Sequence, residues 1–317
     1  MRVSTNMMFE TGVSRIADVQ SALNKTMQQI SANRRVLVPA DDAVAAARAL
    51  DVSQAQAVNQ QYAANRQNAK TSLMQVEGTL QGVTSLLQAV KTAIVYAGNG
   101  SLSDIDRASI ATELRGRFEE LLGLANATDG SGNYLFSGHQ TTTPAFSQAN
   151  VGAQYQGDDG RRYLQVDAAR TMEISDSGKT IFQGGSTGPD VFKTVDVLIK
   201  FLQKDPTVTN ITDNSTIPPT VTPIPLADAL ATANGNIDKA LDNVGTVRAS
   251  VGARLNEIDA LDDTGSARDI QYEQNLSDLI GLDPVEAYSR LTQQQITLQA
   301  AQKAYVSTSG LSLFQYM

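Results

Sequence analysis

AKTSLMQVEGTLQGVTSLLQAVKTAI, residues 69–94, sets its apolar side chains alternately four and three positions apart: Ala69, Leu73, Val76, Leu80, Val83, Leu87, Val90 and Ile94. That spacing keeps them on one side of an α-helix, so the stretch predicts a helix with an unbroken seam facing a partner. The same rhythm returns late in the chain as Ile237, Leu241, Val244, Val251, Leu255 and Ile258. In both runs β-branched residues hold one seam position and leucine the other, a division suited to close helix pairing. The fold class that follows is mainly α: a long antiparallel coiled-coil-like helical bundle built from both chain ends, with a small inserted β domain. Such a chain reads as a strut rather than a catalyst.

Composition agrees with that reading. Aromatic residues make up 5% of the 317 and tryptophan is absent, so a large aromatic core is not expected. The formal charge of −8 argues against a nucleic-acid surface, which needs clustered Lys and Arg. Residues 1–40 run the other way, with Arg2, Arg15, Lys25, Arg34 and Arg35 against Glu10 and Asp18. Without cysteine there is no disulfide or thiolate chemistry. Met1–Gln20 hold no apolar run or small-residue cleavage pattern of a cleaved signal, and no stretch approaches the ~20 apolar residues that cross a bilayer. If the protein is extracellular, it leaves without a cleaved signal peptide.

Outward from the quoted stretch, an amphipathic segment at 7–34 carries Val13, Ile16, Val19, Leu23, Met27 and Ile30, and Val38-Pro39 is expected to end it. Asp41-Asp42 opens a helix of roughly 57 residues that Gly98-Asn99-Gly100 breaks. Ser103 and Asp106 form a capping-box start for the next helix, with Ile110, Leu114, Phe118, Leu121 and Ala125 on its stripe. From Asp129 to Asp190 the texture turns to Gly, Ser, Thr and Asp, with hairpin turns expected at Asp159-Gly160 and Ser177-Gly178. A helix near Val191–Gln203 precedes Asp205–Pro225, which reads as a loop. The helix from Leu226 runs to about Asp262 and its register can continue through Tyr272, Leu276 and Leu279. Asp283-Pro284-Val285-Glu286 starts the last helix, whose stripe is Tyr288, Leu291, Leu298, Ala301 and Tyr305. The domains expected are 1–40 with 283–317, 41–130 with 226–282, the β insert 131–190, and 191–225 completing that insert.

The chain offers little chemistry. His139, the single histidine, lies in a turn-like segment without a second ligand. Gly178-Lys179-Thr180 mimics the end of a phosphate loop, but Glu173 stands where that motif needs glycine, and the fragment is expected between strands. The pairs Asp41-Asp42, Asp158-Asp159 and Asp262-Asp263 fit a helix start, a hairpin and a helix end. No catalytic, metal or cofactor site is expected. The last helix is more telling. Gln293, Gln294, Gln295, Gln299 and Gln302 stand where an exposed helix usually carries Lys and Glu, and residues 283–317 hold four charges. A charge buried between subunits loses several kcal/mol of hydration, whereas glutamine both donates and accepts. The ends are therefore expected to pack with neighbouring subunits and to be mobile in the free monomer.

Met1-Arg2-Val3-Ser4-Thr5-Asn6, Ile30-Ser31-Ala32-Asn33-Arg34-Arg35 leading to Pro39-Ala40-Asp41-Asp42, and the ending Ser312-Leu313-Phe314 resemble the flagellin superfamily. Gly132–Gly138 and Tyr155–Gly160 are more similar to its hook–filament junction branch than to filament subunits. The resemblance implies an extracellular structural protein exported by the flagellar type III apparatus. Its expected partners are the first hook-associated protein, flagellin, further copies in a ring, and a cytosolic export chaperone on the last helix around Leu291, Leu298 and Tyr305. Neither nucleic acid nor membrane insertion is implied. By the same resemblance the inner-tube seam is Ile16, Val19, Leu23, Met27 and Ile30 against Leu291, Leu298, Ala301 and Tyr305, with Leu311, Leu313 and Phe314 beyond. A filament subunit and a non-flagellar type III-exported adaptor are the alternatives.

Overall fold

The computed structural model describes residues 2–185, 188–205, 210–213 and 220–314; side chains are described outside 2–6, 8, 210–213, 220–223 and 308–314. Chain order is α1 (Arg2–Ala32), α2 (Ala43–Ala97), α3 (Asp104–Ala125), β1 (Phe146–Gln148), β2 (Ala153–Tyr155), β3 (Tyr163–Asp167), β4 (Arg170–Glu173), α4 (Gly178–Phe182), α5 (Val191–Leu202), β5 (Asn210–Asp213), β6 (Thr220–Pro223), α6 (Leu226–Ile280) and α7 (Pro284–Phe314). Backbone packing divides the chain into two compact units, residues 1–60 with 265–317 and residues 61–264.

The unit 61–264 holds the continuous apolar core. Every quoted seam residue of α2 from Leu73 to Ile94 is buried there, together with Ile237, Val244, Val251 and Ile258 of α6; Leu241 and Leu255 flank it half-buried. The two helices run antiparallel, as the charged pairs crossing their seam record: Lys91–Asp238 at 2.5 Å, Arg248–Glu77 at 2.6 Å and Lys70–Asp259 at 2.6 Å. The α3 stripe Ile110, Leu114, Phe118, Leu121 and Ala125 is buried as the pattern predicts, and Ser103 and Asp106 close a reciprocal capping box. The α6 register passes straight through Asp262-Asp263-Thr264-Gly265 without a break, and Asp262 pairs with buried Arg66 instead of ending the helix.

The insert differs from its sequence reading in three places. Asp159-Gly160 is not a hairpin turn: Tyr155 pairs with Phe146 and Tyr163 with Glu173, so the turns lie at 149–152 and 168–169. Asp158 Oδ1 instead accepts from the amides of His139 (2.9 Å) and Gly160 (2.8 Å). Ser177-Gly178 is no turn either. It opens the short helix α4, and a Cβ at Gly178 would lie 2.8 Å from the Phe146 ring and 2.9 Å from the Phe136 carbonyl. Glycine is required there for close approach. The stretch 205–225 is not merely a loop, since β5 and β6 pair antiparallel from Asn210↔Pro223 to Asp213↔Thr220. Its β-branched Ile211, Thr212, Val221 and Thr222 favour extended backbone, and an isolated ribbon tolerates the edge proline.

The aromatic residues, few as they are, do gather. Phe118, Phe136, Phe146, Phe182 and Phe192 form one cluster with ring centroids 4.9–5.8 Å apart, tying α3, β1, α4 and α5 together. The cluster is fixed to α6 by Asn243, whose amide donates to the carbonyls of Thr180 and Ile181 at 2.8 Å. Arg66, 2% exposed, donates to Asp262 and, at 3.1 Å, to the Val166 carbonyl, so one guanidinium joins α2, α6 and β3.

Candidate assembly interface

In the unit formed by the chain ends, α1 and α7 lie antiparallel. Phe9 meets Tyr305 edge to face at 5.8 Å, a Cβ on Gly12 would touch that same ring at 3.2 Å, and Arg34 bridges Gly281 at the other end. Helix α1 ends at Ala32, ahead of the expected Val38-Pro39, because Asn33 takes a left-handed φ of 51° that caps the last turn. Gln29 then donates to the Arg35 carbonyl at 2.6 Å, and Arg35 donates from its amide to the Ile280 carbonyl at 2.8 Å. Asp41 holds Lys25 at 2.5 Å and accepts from the Leu37 and Val38 amides, and Asp42 caps α2 through the Ala45 amide. The Lys25 hydrogen bond holds the Asp41 carboxyl below the usual carboxylate range, and the Ala45 amide does the same for Asp42. Asp283 opens α7 by accepting from the Val285 and Glu286 amides at 2.8 and 3.3 Å.

Most of the expected terminal seam comes together, but only in part buried. Ile16, Val19, Leu23 and Ile30 of α1, and Leu291, Leu298, Ala301 and Tyr305 of α7, all keep intermediate exposure. Met27 is a correction. It is 44% exposed, and Thr26, one step back, occupies the buried seam position at 3%. The 3,4 spacing through Ile16, Val19, Leu23 and Ile30 already selects residue 26, and the apolar character of Met27 drew the assignment one place off. Tyr288 likewise points outward at 57%, with Ala287 buried in its stead. Phe9, Gly12 and Gln294 complete the stripe, the last two at heptad positions that a small and a polar side chain concealed. The side chains of Leu311, Leu313 and Phe314 lie outside the described residues. Of the five glutamines, Gln293, Gln295, Gln299 and Gln302 are exposed.

Further apolar side chains stay exposed on the two helices: Val13 (52%), Met27, Tyr288 and Ile296 (57%) lie off the α1–α7 seam. Exposed apolar side chains gathered on a helix pair mark a contact surface. Among the described residues no group of three or more acidic or histidine side chains could hold a metal ion, and no helix is long and apolar enough to cross a membrane. Gly178-Lys179-Thr180 does open a helix, contrary to expectation, but one of five residues whose first amide is already bonded to the Phe136 carbonyl at 2.9 Å.

Two family models match this layout of paired helical ends, the N-terminal helical region of bacterial flagellin over residues 3–141 and its C-terminal helical region over 235–317. The class is therefore that of flagellin-type helical proteins. Over 326 aligned positions, 99% of each chain, the sequence is 38% identical to flagellar hook-associated protein 3 of Salmonella typhimurium and 39% identical to that of Escherichia coli. A solved structure of a putative flagellar hook-associated protein from Vibrio parahaemolyticus is 25% identical, with a TM-score of 0.66 over 76% of this chain and all of that one. This chain belongs to the flagellin superfamily and, within it, to the flagellar hook-associated protein 3 family. Its homologues are structural flagellar proteins, hook-associated protein 3 and flagellin among them.

Proposed function

We propose that the chain forms the junction ring between the hook-associated layer and the flagellin filament. The observation that carries this reading is the exposed apolar set Val13, Met27, Tyr288 and Ile296 beside a seam that one helix pair leaves half-wet. Copies stacked side by side remove both from water, at about 25 cal/mol per Å² of apolar surface. In this reading residues 1–40 and 283–317 build the inner tube. Residues 41–130 and 226–282 form a central helical bundle, with 131–225 as its insert. The neighbours are the first hook-associated protein, flagellin and further copies. The chain leaves the cell through the flagellar type III apparatus without a cleaved signal, and a cytosolic chaperone holds α7 around Leu291, Leu298 and Tyr305 until export.

Gene deletion tests the placement. Loss of a junction subunit should release intact flagellin monomers into the medium, whereas loss of a filament subunit should leave none to release. Complementing that strain with Leu298→Asp should fail to restore swimming, while the unit 61–264 of the purified variant melts as in the parent. Normal swimming of the variant would refute the terminal-helix interface.

A further inference from the structure

Three polar side chains lie at or beside the α1–α7 seam: Thr26 and Gln29 are buried, whereas Gln294 keeps intermediate exposure. Thr26 Oγ1 donates to the Ala22 carbonyl at 3.0 Å, and Gln29 donates to the Arg35 carbonyl, so both are satisfied within their own segment. Gln294 occupies the heptad position between Leu291 and Leu298, and its Oε1 is buried without a hydrogen-bond partner. An unpaired amide oxygen among apolar neighbours weakens the pair that contains it. A lone polar residue on a coiled-coil seam earns its place by penalising wrong registers and partners.

We infer that Gln294 is a register-setting residue of the assembly, left unsatisfied in the single chain and paired by a side-chain amide from a second copy of this chain. Gln293, Gln295, Gln299 and Gln302 line the exposed faces of the same helix and supply such amides. Glutamine has three side-chain torsions, so its amide can turn outward to meet one without a backbone shift. The assignment rests on the proposed packing of the terminal helices between subunits.

The test uses full-length Gln294→Leu, close in volume and free of the amide. Amide exchange of the free protein is read at 16–30 and 287–305, and swimming of the complemented deletion strain is read beside Leu298→Asp. Expected are protection factors raised about tenfold in both helices, from removal of a buried unpaired acceptor, together with impaired swimming. Unchanged protection would mean that the amide is already satisfied in the free chain, and would overturn the inference. Raised protection with normal swimming would overturn it as well, because the amide would then do nothing for assembly. If Leu298→Asp also swims normally, the interface itself fails; if it does not, only the role of Gln294 is lost.

Discussion

Arg66 shows how one side chain can organise three elements. Its guanidinium is buried between α2, α6 and β3, donating to the Asp262 carboxylate and the Val166 carbonyl, with Asn65 beside it donating to the Gln165 carbonyl at 2.8 Å. Arg66→Ala removes the pair and leaves the β3 carbonyl without its donor. The expected cost is about 2 kcal/mol, since the Val166 carbonyl loses its donor and a cavity opens, while the Asp262 carboxylate, 37% exposed, stays solvated. Urea denaturation of the purified chain measures it. Gly281 is a smaller instance of the same dependence. A Cβ there would stand 2.3 Å from the Ser277 carbonyl, so the turn from α6 into α7 admits glycine alone.

Helices of similar pattern are used in two ways. Leu80 is fully buried among its neighbours in the core of the unit 61–264, whereas Leu291 in α7 keeps intermediate exposure against a single partner helix. Leu80→Ala should therefore cost about 2–5 kcal/mol, the usual range for a core cavity. Leu291→Ala should cost only about 1 kcal/mol in the free protein, in keeping with its partial burial. Thermal melts of the two variants compare them directly; equal losses would mean that the terminal pair is already a finished core. The reading of α6 illustrates why an apparent stop was none. Asp and Gly lower helix propensity by less than tertiary packing returns, and Asn59 donates to the Gly265 carbonyl at 2.9 Å inside the run.

For the molecule as a whole, acid is the condition to which the fold should respond. Asp41, Asp42, Asp104, Asp106, Asp129 and Asp158 are all held below the ordinary carboxylate value, by Lys25, the Ala45 amide, Lys204, Ser103, Asn133 and the His139 amide respectively. A carboxyl with a lowered folded pKa adds stability above its unfolded value of about 4 and loses it as pH falls through the lowered one. Asp190 acts in the opposite sense. Burial raises its pKa, so its contribution is present below about 4 and is lost as pH rises through the raised value. With Glu173 and Glu257 also lowered, eight carboxylates stand against one raised, and the melting temperature should fall as pH drops from about 4 towards 2. A melting temperature independent of pH over that range would contradict these assignments.

Sequence alone determined the long helices and the central seam, because a 3,4 apolar repeat has one regular solution and needs no distant partner to be read; the likeness of the ends to flagellin rests on their motifs, Met1–Asn6 and Ser312–Phe314, and not on the repeat. Leu73 to Ile94 and Ile110 to Ala125 were legible residue by residue for that reason. Only the tertiary structure decided which glycine makes a turn and which allows a close approach, as at Gly178 beneath Phe136 and Phe146. It alone set Thr26 rather than Met27 in the terminal seam, and drew five scattered phenylalanines into one cluster. Those choices depend on what a side chain meets across the fold, and local spacing carries no record of that contact.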